Sequence, residues 1–250
     1  MSIFNFHKNT FKNGIHPPEH KAETNGLPIR QFPFAPLIML PTAQHLGAPS
    51  EVIVREGQEV VRGQLLAKAA GYMSVPLHAP ASGLVRKIGN VPTITGKMSE
   101  GIYLEVFPAS GQEVMEGKPT TLDASPEAIL KAIQEAGIVG LGGAAFPTHV
   151  KLKVPDGSQC EVLLLNGIEC EPYLTTDHRV MLEQADDIYM GIRYLLKATG
   201  AKRCIIGIEA NKQDAADHLQ QHLPADLPVS VKVVPVKYPQ GSEKCSSRRY

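Results

Sequence analysis

A glycine-rich segment at residues 140–148 is the first feature of this sequence that could bind a ligand. It reads Gly-Leu-Gly-Gly-Ala-Ala-Phe-Pro-Thr, and Lys151 follows it. Glycines allow backbone N–H groups to approach an anion closely, and a lysine adds a positive point charge. The segment therefore predicts a phosphate cradle, with a plain structural turn as the alternative.

The same segment also fits G-x-G-x-x-A, the glycine pattern of dinucleotide-binding Rossmann folds. That pattern requires a β-strand directly before the glycines and a helix after them. Here a predicted helix comes before, and only Ile138 and Val139 separate it from Gly140. The Rossmann interpretation is therefore disfavoured, and with it an ordinary NAD dehydrogenase.

Two further candidate loops each follow a predicted strand. Residues 166–173 read Asn-Gly-Ile-Glu-Cys-Glu-Pro-Tyr after an apolar run, and residues 238–244 read Tyr-Pro-Gln-Gly-Ser-Glu-Lys. Ligands of open α/β sheets bind beyond the carboxyl ends of the strands, so both loops are candidate binding segments. Glu169 and Glu171 can point to opposite sides of an extended backbone, although a solvated loop is the alternative. Cys170 is interpreted as a bystander, because nothing near it in the sequence is placed to activate a thiol.

The elements that would position these loops alternate between helices and strands. Ser125 and Pro126 are typical of a helix start, and Gly137 of a helix end. The alternation predicts a mostly parallel, doubly wound α/β sheet in the C-terminal half. The predicted elements are a helix from Ser125 to Gly137, a strand at 161–165, a helix in two pieces at 177–199, a strand at 204–208, a helix capped by Asn211 and ending near His222, and a strand at 229–233.

The N-terminal half predicts a small β module instead. Between Val52 and Ile88, short β-branched runs are broken every few residues by Gly or Pro. Gly57 and Gly63 flank a pair of valines, which is typical of tight turns between short strands. This pattern resembles the barrel-sandwich fold of lipoyl and biotinyl carrier proteins, in which a lysine at the hairpin tip bears the cofactor. The equivalent tip, residues 70–75, contains no lysine, so we expect a structural or docking role.

Composition and charge exclude several classes of protein. Basic and acidic residues number 25 each, so the chain lacks the basic surface that binding to nucleic acid or to an anionic membrane requires. The four cysteines form no C-x-x-C pair, which excludes a zinc ribbon or a complete iron–sulfur ligand run within this chain. The sequence has neither a signal-peptide core nor an apolar stretch of membrane-spanning length. We expect a cytosolic protein or one held at a membrane through a partner.

Together the three loops carry a resemblance to known families. Segments 140–148 and 166–172 resemble the flavin loops of the NADH-oxidising subunit of respiratory complex I. Stretches 14–19, 78–80 and 238–244 are more closely similar to the RnfC family, whose members are subunits of the Rnf electron transport complex. The similarity extends, in order, over nearly the whole chain.

The resemblance implies an FMN-bearing, NADH-oxidising subunit on the cytoplasmic face of a bacterial inner membrane. Its complex couples electron flow between NADH and a ferredoxin-type partner to ion translocation, and its partners would be the other Rnf subunits. Neither a catalytic side chain nor a metal ligand is implied in this chain. The implied cofactor-binding residues are Gly140, Gly142, Gly143 and Lys151 around FMN, Asn166 and Glu169 near its ring, Phe146 stacked on the NADH adenine, Glu171 and Glu243 on the dinucleotide, and Gly241 in the third loop.

The sequence departs from the family patterns at several places. Ala145 replaces a glycine of the complex I pattern and Ile168 replaces an acidic residue, so we expect fewer polar contacts to the flavin. After Lys244 the family continues into a helix, further FMN contacts and two four-cysteine runs that bind [4Fe–4S] clusters, whereas this sequence ends Cys-Ser-Ser-Arg-Arg-Tyr. These departures predict a truncated chain that has an incomplete FMN site and is inactive alone.

The predicted fold class is α+β and multidomain, with a barrel-sandwich module followed by an α/β FMN-binding-type domain. A hypothesis from a different functional class also stays open, in which the chain is a cofactor-free docking module for partner subunits. Flavin absorbance of the gently purified protein distinguishes the two hypotheses. The predicted limits are an irregular arm at 1–35, the β module at 36–108, a linker at 109–124, the α/β FMN/NADH-binding-type domain at 125–244 and a tail at 245–250.

Overall fold

A computed structural model of the protein describes residues 14–93, 96–141 and 143–242. Contacts divide the chain into two compact units, which we call the barrel unit and the α/β unit. Residues 32–153 form the barrel unit, and residues 154–250 together with residues 1–31 form the α/β unit. The glycine segment thus belongs to the barrel unit and most of the arm to the α/β unit, while the finer limits within each unit stay a prediction.

Short antiparallel strands form the first part of the barrel unit. They are β1 (Leu37–Pro41), β2 (Glu51–Val52), β3 (Glu59–Val60), β4 (Leu65–Lys68), β5 (Leu77–His78), β6 (Gly83–Pro92) and β7 (Met98–Val106). One sheet has the order β1-β7-β6-β3 and the other the order β2-β4-β5. Leu66 from one sheet and Ile102 and Leu104 from the other are fully buried in a shared core. Gly57 and Gly63 have φ angles of 79° and 87°, which confirms the predicted turn corners.

The second part of the barrel unit carries the glycine segment. It contains α1 (Pro126–Glu135), β8 (Val139–Gly140), β9 (Phe146–Pro147) and α2 (Thr148–Leu152). The predicted start of α1 is confirmed, because the Ser125 hydroxyl accepts a hydrogen bond from the Ala128 N–H at 3.2 Å. Gly137, with a φ of 72°, follows the helix and turns the chain, as predicted. Ile129 is buried, so the apolar face of α1 points into the unit.

The α/β unit contains the predicted parallel sheet. Its elements are β10 (Val162–Gly167), α3 (Thr176–Glu183), α4 (Ala185–Thr199), β11 (Arg203–Glu209), a 3-10 turn (Ala210–Lys212), α5 (Gln213–Gln221) and β12 (Val229–Val234). The strands lie in the order β10-β11-β12, and both pairs are parallel. Ile192 from α4, Ile206 from β11 and Leu219 from α5 share one core. The predicted break between the two helical pieces and the stop at Gly200 are also confirmed.

Two local expectations for this unit are corrected. Asn211 does not cap α5, because it lies inside the 3-10 turn that precedes the helix, and its side-chain amide donates to Glu19 of the arm at 2.9 Å. The apolar run 161–165 predicts a fully buried strand. Its residues in β10 are only partly buried, since β10 lies at the edge of the described three-stranded sheet.

Candidate functional site

The glycine segment forms a β-hairpin in the barrel unit. β8 and β9 pair antiparallel, with Gly140 opposite Phe146, and the sequence that joins them is rich in glycine. Rossmann glycines instead follow a strand of a parallel sheet. The Rossmann interpretation of this segment is therefore wrong, as the preceding helix indicated.

Backbone next to this hairpin is open enough for an anion to approach. A Cβ built on Gly143 would meet nothing within 4 Å, and one built on Gly140 would lie 3.8 Å from Lys151 Nζ. The lysine ammonium therefore lies beside the hairpin backbone, which is the combination that a phosphate cradle needs. Phe146 is half-buried in β9, and Gly142 lies outside the described residues. The residues present fit the phosphate end of FMN.

Both helices that flank this hairpin are held by the tip of the barrel module. Gln134 of α1 donates to the carbonyls of Gly71 and Ser74 at 3.1 and 2.9 Å. His149 of α2 donates from Nε2 to the Tyr72 carbonyl at 2.8 Å, and its ring meets the Tyr72 ring edge-on at 5.5 Å. The tip, which carries the cofactor lysine in carrier proteins, here contacts the elements on either side of the glycine hairpin.

In the α/β unit, the structure brings the second and third candidate loops together. Both follow strands of the parallel sheet, at its carboxyl edge. The Asn166 amide donates to the Gly241 carbonyl at 2.8 Å and accepts from the Ile168 N–H at 3.3 Å. A Cβ on Gly241 would lie 3.2 Å from the Ile168 carbonyl oxygen, so a side chain there would crowd the second loop. Asn166 and Gly241 therefore set the shape of this edge.

Gln240 in the third loop is an unsatisfied buried group. Its side chain is 1% exposed, and neither atom of its amide has a hydrogen-bond partner among the described residues. Buried amides are nearly always paired in folded proteins. Gln240 is therefore an exception to this rule within the described part of the third loop.

Glu169 differs from the expectation of an exposed loop carboxylate. It is 3% exposed, its Oε1 accepts from the Asp177 N–H at 2.8 Å, and its Oε2 lies 3.6 Å from Lys21 Nζ. Lys212 and Glu209 pair with each other at 3.4 Å in the same buried cluster. The solvated-loop alternative is therefore wrong for Glu169, although Glu171 is only partly buried. Glu243 lies outside the described residues.

Burial and neighbouring charges shift the pKa values of this cluster. Burial lowers the pKa of Lys21, and the positive charge of Lys212 lowers it further. Burial raises the pKa of Glu209, against the opposing effect of Lys212. Asp177 also interacts electrostatically with both lysines, and burial raises the pKa of its carboxyl.

Sequence reasoning missed the arm as part of this edge. Lys21 and Glu19 lie in an irregular, proline-rich stretch without periodicity, and no pattern distinguishes their side chains from exposed ones. Only the stretch at residues 14–19, as part of the family resemblance, indicated that the arm matters.

Comparison with known proteins identifies the family of this chain. Residues 9–106 match the RnfC barrel sandwich hybrid domain, and residues 133–247 match the Nuo51 FMN-binding domain. A subunit of the Na+-translocating ferredoxin:NAD+ oxidoreductase complex of Acetobacterium woodii is 40% identical over 239 residues, which cover 94% of this chain. The chain belongs to the RnfC family. This membership confirms the resemblance and the predicted order of a barrel-sandwich module followed by an FMN-binding-type domain.

The RnfC-family relatives are longer than this chain. The corresponding subunit of the proton-translocating ferredoxin:NAD+ oxidoreductase complex of Clostridium ljungdahlii is 39% identical over 238 residues, again 94% of this chain. The match covers 53% of the Acetobacterium protein and 51% of the Clostridium protein, so the chain spans about half the length of these curated relatives. Among solved structures, an air-oxidized NAD+-reducing [NiFe]-hydrogenase aligns with a TM-score of 0.43 and 25% identity over 48% of this chain and 22% of its own. Within the described part of the chain, no helix is long and apolar enough to cross a membrane.

Proposed function

We propose that this RnfC-family chain binds FMN and NADH and forms the electron-entry part of an ion-translocating oxidoreductase subunit. The observation that carries the proposal is the match of residues 133–247 to an FMN-binding domain. The names of the relatives, which are subunits of ferredoxin:NAD+ oxidoreductase complexes, support the same assignment. The open glycine hairpin beside Lys151 and the joined loops of the α/β unit are consistent with it.

In this proposal the glycine hairpin binds the phosphate of FMN. Gly140, Gly142 and Gly143 would present backbone N–H groups, and the Lys151 ammonium would balance the phosphate charge. Lys151 Nζ next to the backbone at Gly140 supports this role. Phe146 would stack on the adenine of NADH, since two aromatic rings pack favourably face to face when they are offset.

The loops of the α/β unit would contact the flavin ring and the dinucleotide. Asn166 would lie near the ring, and its bond to Gly241 would keep the second and third loops in register. The Glu169 carboxylate is turned inward, so Glu169 would contribute by fixing the loop backbone rather than by touching the ring. Glu171 and Glu243 would contact the dinucleotide.

FMN held by these residues would supply the redox chemistry, namely hydride acceptance from NADH and release of electrons one at a time. In this proposal the residues of this chain bind and orient the two nucleotides. None of its side chains needs to act as a general base. The open glycine backbone and the fixed loops provide the orientation.

The remaining parts of the proposal concern the whole assembly. The partners would be the other subunits of an Rnf complex and a ferredoxin-type electron partner, and the location would be peripheral, on the cytoplasmic side of a bacterial inner membrane. [4Fe–4S] clusters would be held by the part of the family that lies beyond the matched region. The relatives' names, which describe ion-translocating complexes, support this placement.

Titration of the purified 250-residue chain with FMN tests the proposal. Flavin fluorescence should fall saturably as the chain is added. The cofactor-free docking module is the second candidate, because the barrel tip at residues 70–75 has no lysine to carry a cofactor. No saturable quenching at any accessible concentration would reject FMN binding and leave the docking module.

A further inference from the structure

Lys21 of the arm makes an unusually complete set of contacts with the second loop. Its Nζ donates to the carbonyl of Glu169 at 2.7 Å, to that of Glu171 at 3.0 Å and to that of Leu174 at 2.5 Å. A lysine ammonium has three N–H donors, so these carbonyls use the full donor capacity of Lys21. Lys21 is only 8% exposed. The carbonyls of Glu169, Glu171 and Leu174 therefore converge on the buried Lys21 ammonium.

Further contacts of the arm reinforce this arrangement. The Tyr173 N–H donates to the Glu19 carbonyl at 2.9 Å, and the His20 ring stacks on the Tyr173 ring at 4.8 Å. Thr175 donates from its hydroxyl to that of Thr24 at 2.8 Å. Tyr173 has a φ of 68°, a left-handed backbone that a non-glycine residue adopts only when its surroundings hold it.

The loop itself has no group that replaces the hydrogen bonds donated by Lys21. The three carbonyls point toward one position. Within the described residues, the Glu169 carbonyl also accepts from Lys212 Nζ at 3.4 Å, but without the Lys21 ammonium those of Glu171 and Leu174 would need water or would stay unpaired. Glu169 adds an ion pair to Lys21 at 3.6 Å, which fixes the same stretch of backbone through its side chain. The conformation of residues 169–174 thus depends on a residue about 150 positions away in the sequence.

We propose that Lys21 is a positioning residue for the candidate nucleotide loop, residues 166–173, and that the arm orders this loop for FMN and NADH. This inference rests on the proposed function, because it assumes that the loop contacts a nucleotide. Lys21 itself touches backbone rather than ligand, so it acts through the loop. Removal of its charge should loosen the loop first and weaken nucleotide binding as a consequence.

The reactivity of Cys170 reports on the order of the loop without any ligand. Its thiol is partly buried, and burial raises its pKa, so the ordered loop holds little reactive thiolate. Cys204 is fully buried in β11 and reports global unfolding in the same sample. Peptide mass spectrometry measures the alkylation rate of each cysteine. In Lys21→Met, the rate at Cys170 should rise at least about tenfold, which is equivalent to about 1.4 kcal/mol of local opening. Cys204 should stay protected.

Two companion variants make the test specific. Lys68→Met removes a lysine of the barrel unit that is 60% exposed and pairs with Glu51, so Cys170 should react as in the parent. His20→Asn removes the ring stack on Tyr173 but keeps the buried cluster, and asparagine tolerates the φ of 49° at that position. We expect His20→Asn to accelerate Cys170 alkylation by about threefold, because one exposed contact of the same loop is lost.

FMN and NADH affinities of the same proteins complete the test. Weaker binding of either nucleotide by about tenfold in Lys21→Met, with Cys204 protected, supports the proposal. Parental rates at Cys170, or parental affinities despite a loosened loop, overturn it. If Lys21→Met exposes Cys204 as well, His20→Asn decides, and its parental rate counts against the proposal. A parent chain that binds neither nucleotide rejects the proposed function, whereas the Cys170 rates still decide whether Lys21 orders the loop.

Discussion

Lys151 is the residue on which flavin binding should depend most directly. Its ammonium lies 3.8 Å from the position of a Cβ built on Gly140, beside the backbone of the glycine hairpin. Lys151→Ala should weaken FMN binding by about 1.5–3 kcal/mol, the scale of a hydrogen bond to a charged group. Fluorescence-quenching titrations of the parent and the variant measure this difference.

Lys68→Ala is the matched control for Lys151→Ala. It removes the same charge from the same unit, but Lys68 forms an exposed ion pair with Glu51 on β2, which is not part of the glycine hairpin. FMN affinity should stay at the parental value. Equal affinity of the parent and Lys151→Ala would show that the glycine hairpin is only a turn.

Glu209 should make the stability of the α/β unit depend on pH. Its side chain is fully buried beside Lys212, with Lys21 and Glu169 completing the cluster. Because burial raises the pKa of Glu209, the folded chain holds this proton to a higher pH than the unfolded chain does. The stability that this carboxyl contributes is thus present below its ordinary pKa of about 4.5 and lost as the pH rises through its folded pKa.

Glu209→Gln removes this titration. Between about pH 4.5 and pH 7, its free energy of unfolding should fall less steeply with pH than that of the parent, as measured by urea unfolding at several pH values. Glu105→Gln is the control, since Glu105 is exposed, pairs with Arg86 and has its pKa lowered by that hydrogen bond. A Glu209→Gln profile parallel to that of the parent would contradict this assignment.

At the scale of elements, the barrel tip holds the helices on both sides of the glycine hairpin. Gln134 provides two of these hydrogen bonds, to Gly71 and Ser74. Gln134→Ala should lower the free energy of unfolding by about 1–2 kcal/mol, because two hydrogen bonds are lost and one acceptor carbonyl is in partly buried surroundings. Lys131→Ala on the same helix is the control, because it breaks only an exposed pair with Glu135. If the two variants unfold at the same urea concentration, the tip does not stabilise α1.

Local signals in the sequence are enough to predict most of the elements. The Ser125 cap, the stop at Gly200 and the alternating valines of β12 depend on neighbours in the chain, and the structure has all three. The cap predicted at Asn211 is wrong, because the Asn211 amide bonds to Glu19 of the arm instead of capping α5. The sequence around Asn211 is the same for either role, so local pattern could not distinguish them. The Lys21 contacts and the tip contacts could not be predicted, since each joins segments that are far apart in sequence and carry no shared pattern.

At the scale of the whole chain, the arrangement of thiols limits what this polypeptide can do alone. Cys160, Cys170, Cys204 and Cys245 are separated by 10, 34 and 41 positions. Within the described residues, Cys160 precedes β10, Cys170 follows it, and Cys204 is fully buried inside β11. Burial raises the pKa of Cys204 to about 11, which disfavours the thiolate that a cluster ligand requires.

The 250-residue chain should therefore assemble no stoichiometric iron–sulfur cluster. Four thiolates must reach one cluster together, and one of these four thiols is confined to a packed strand. Anaerobic reconstitution with iron and sulfide, followed by desalting, iron counting and absorbance in the cluster bands, measures this. A longer RnfC-family protein treated in parallel shows that the procedure works, and Cys204→Ala should give the same result as the parent. Reproducible iron and sulfide at one cluster per chain would mean that distant thiols converge after all, and electron transfer beyond the flavin would then be possible within this chain.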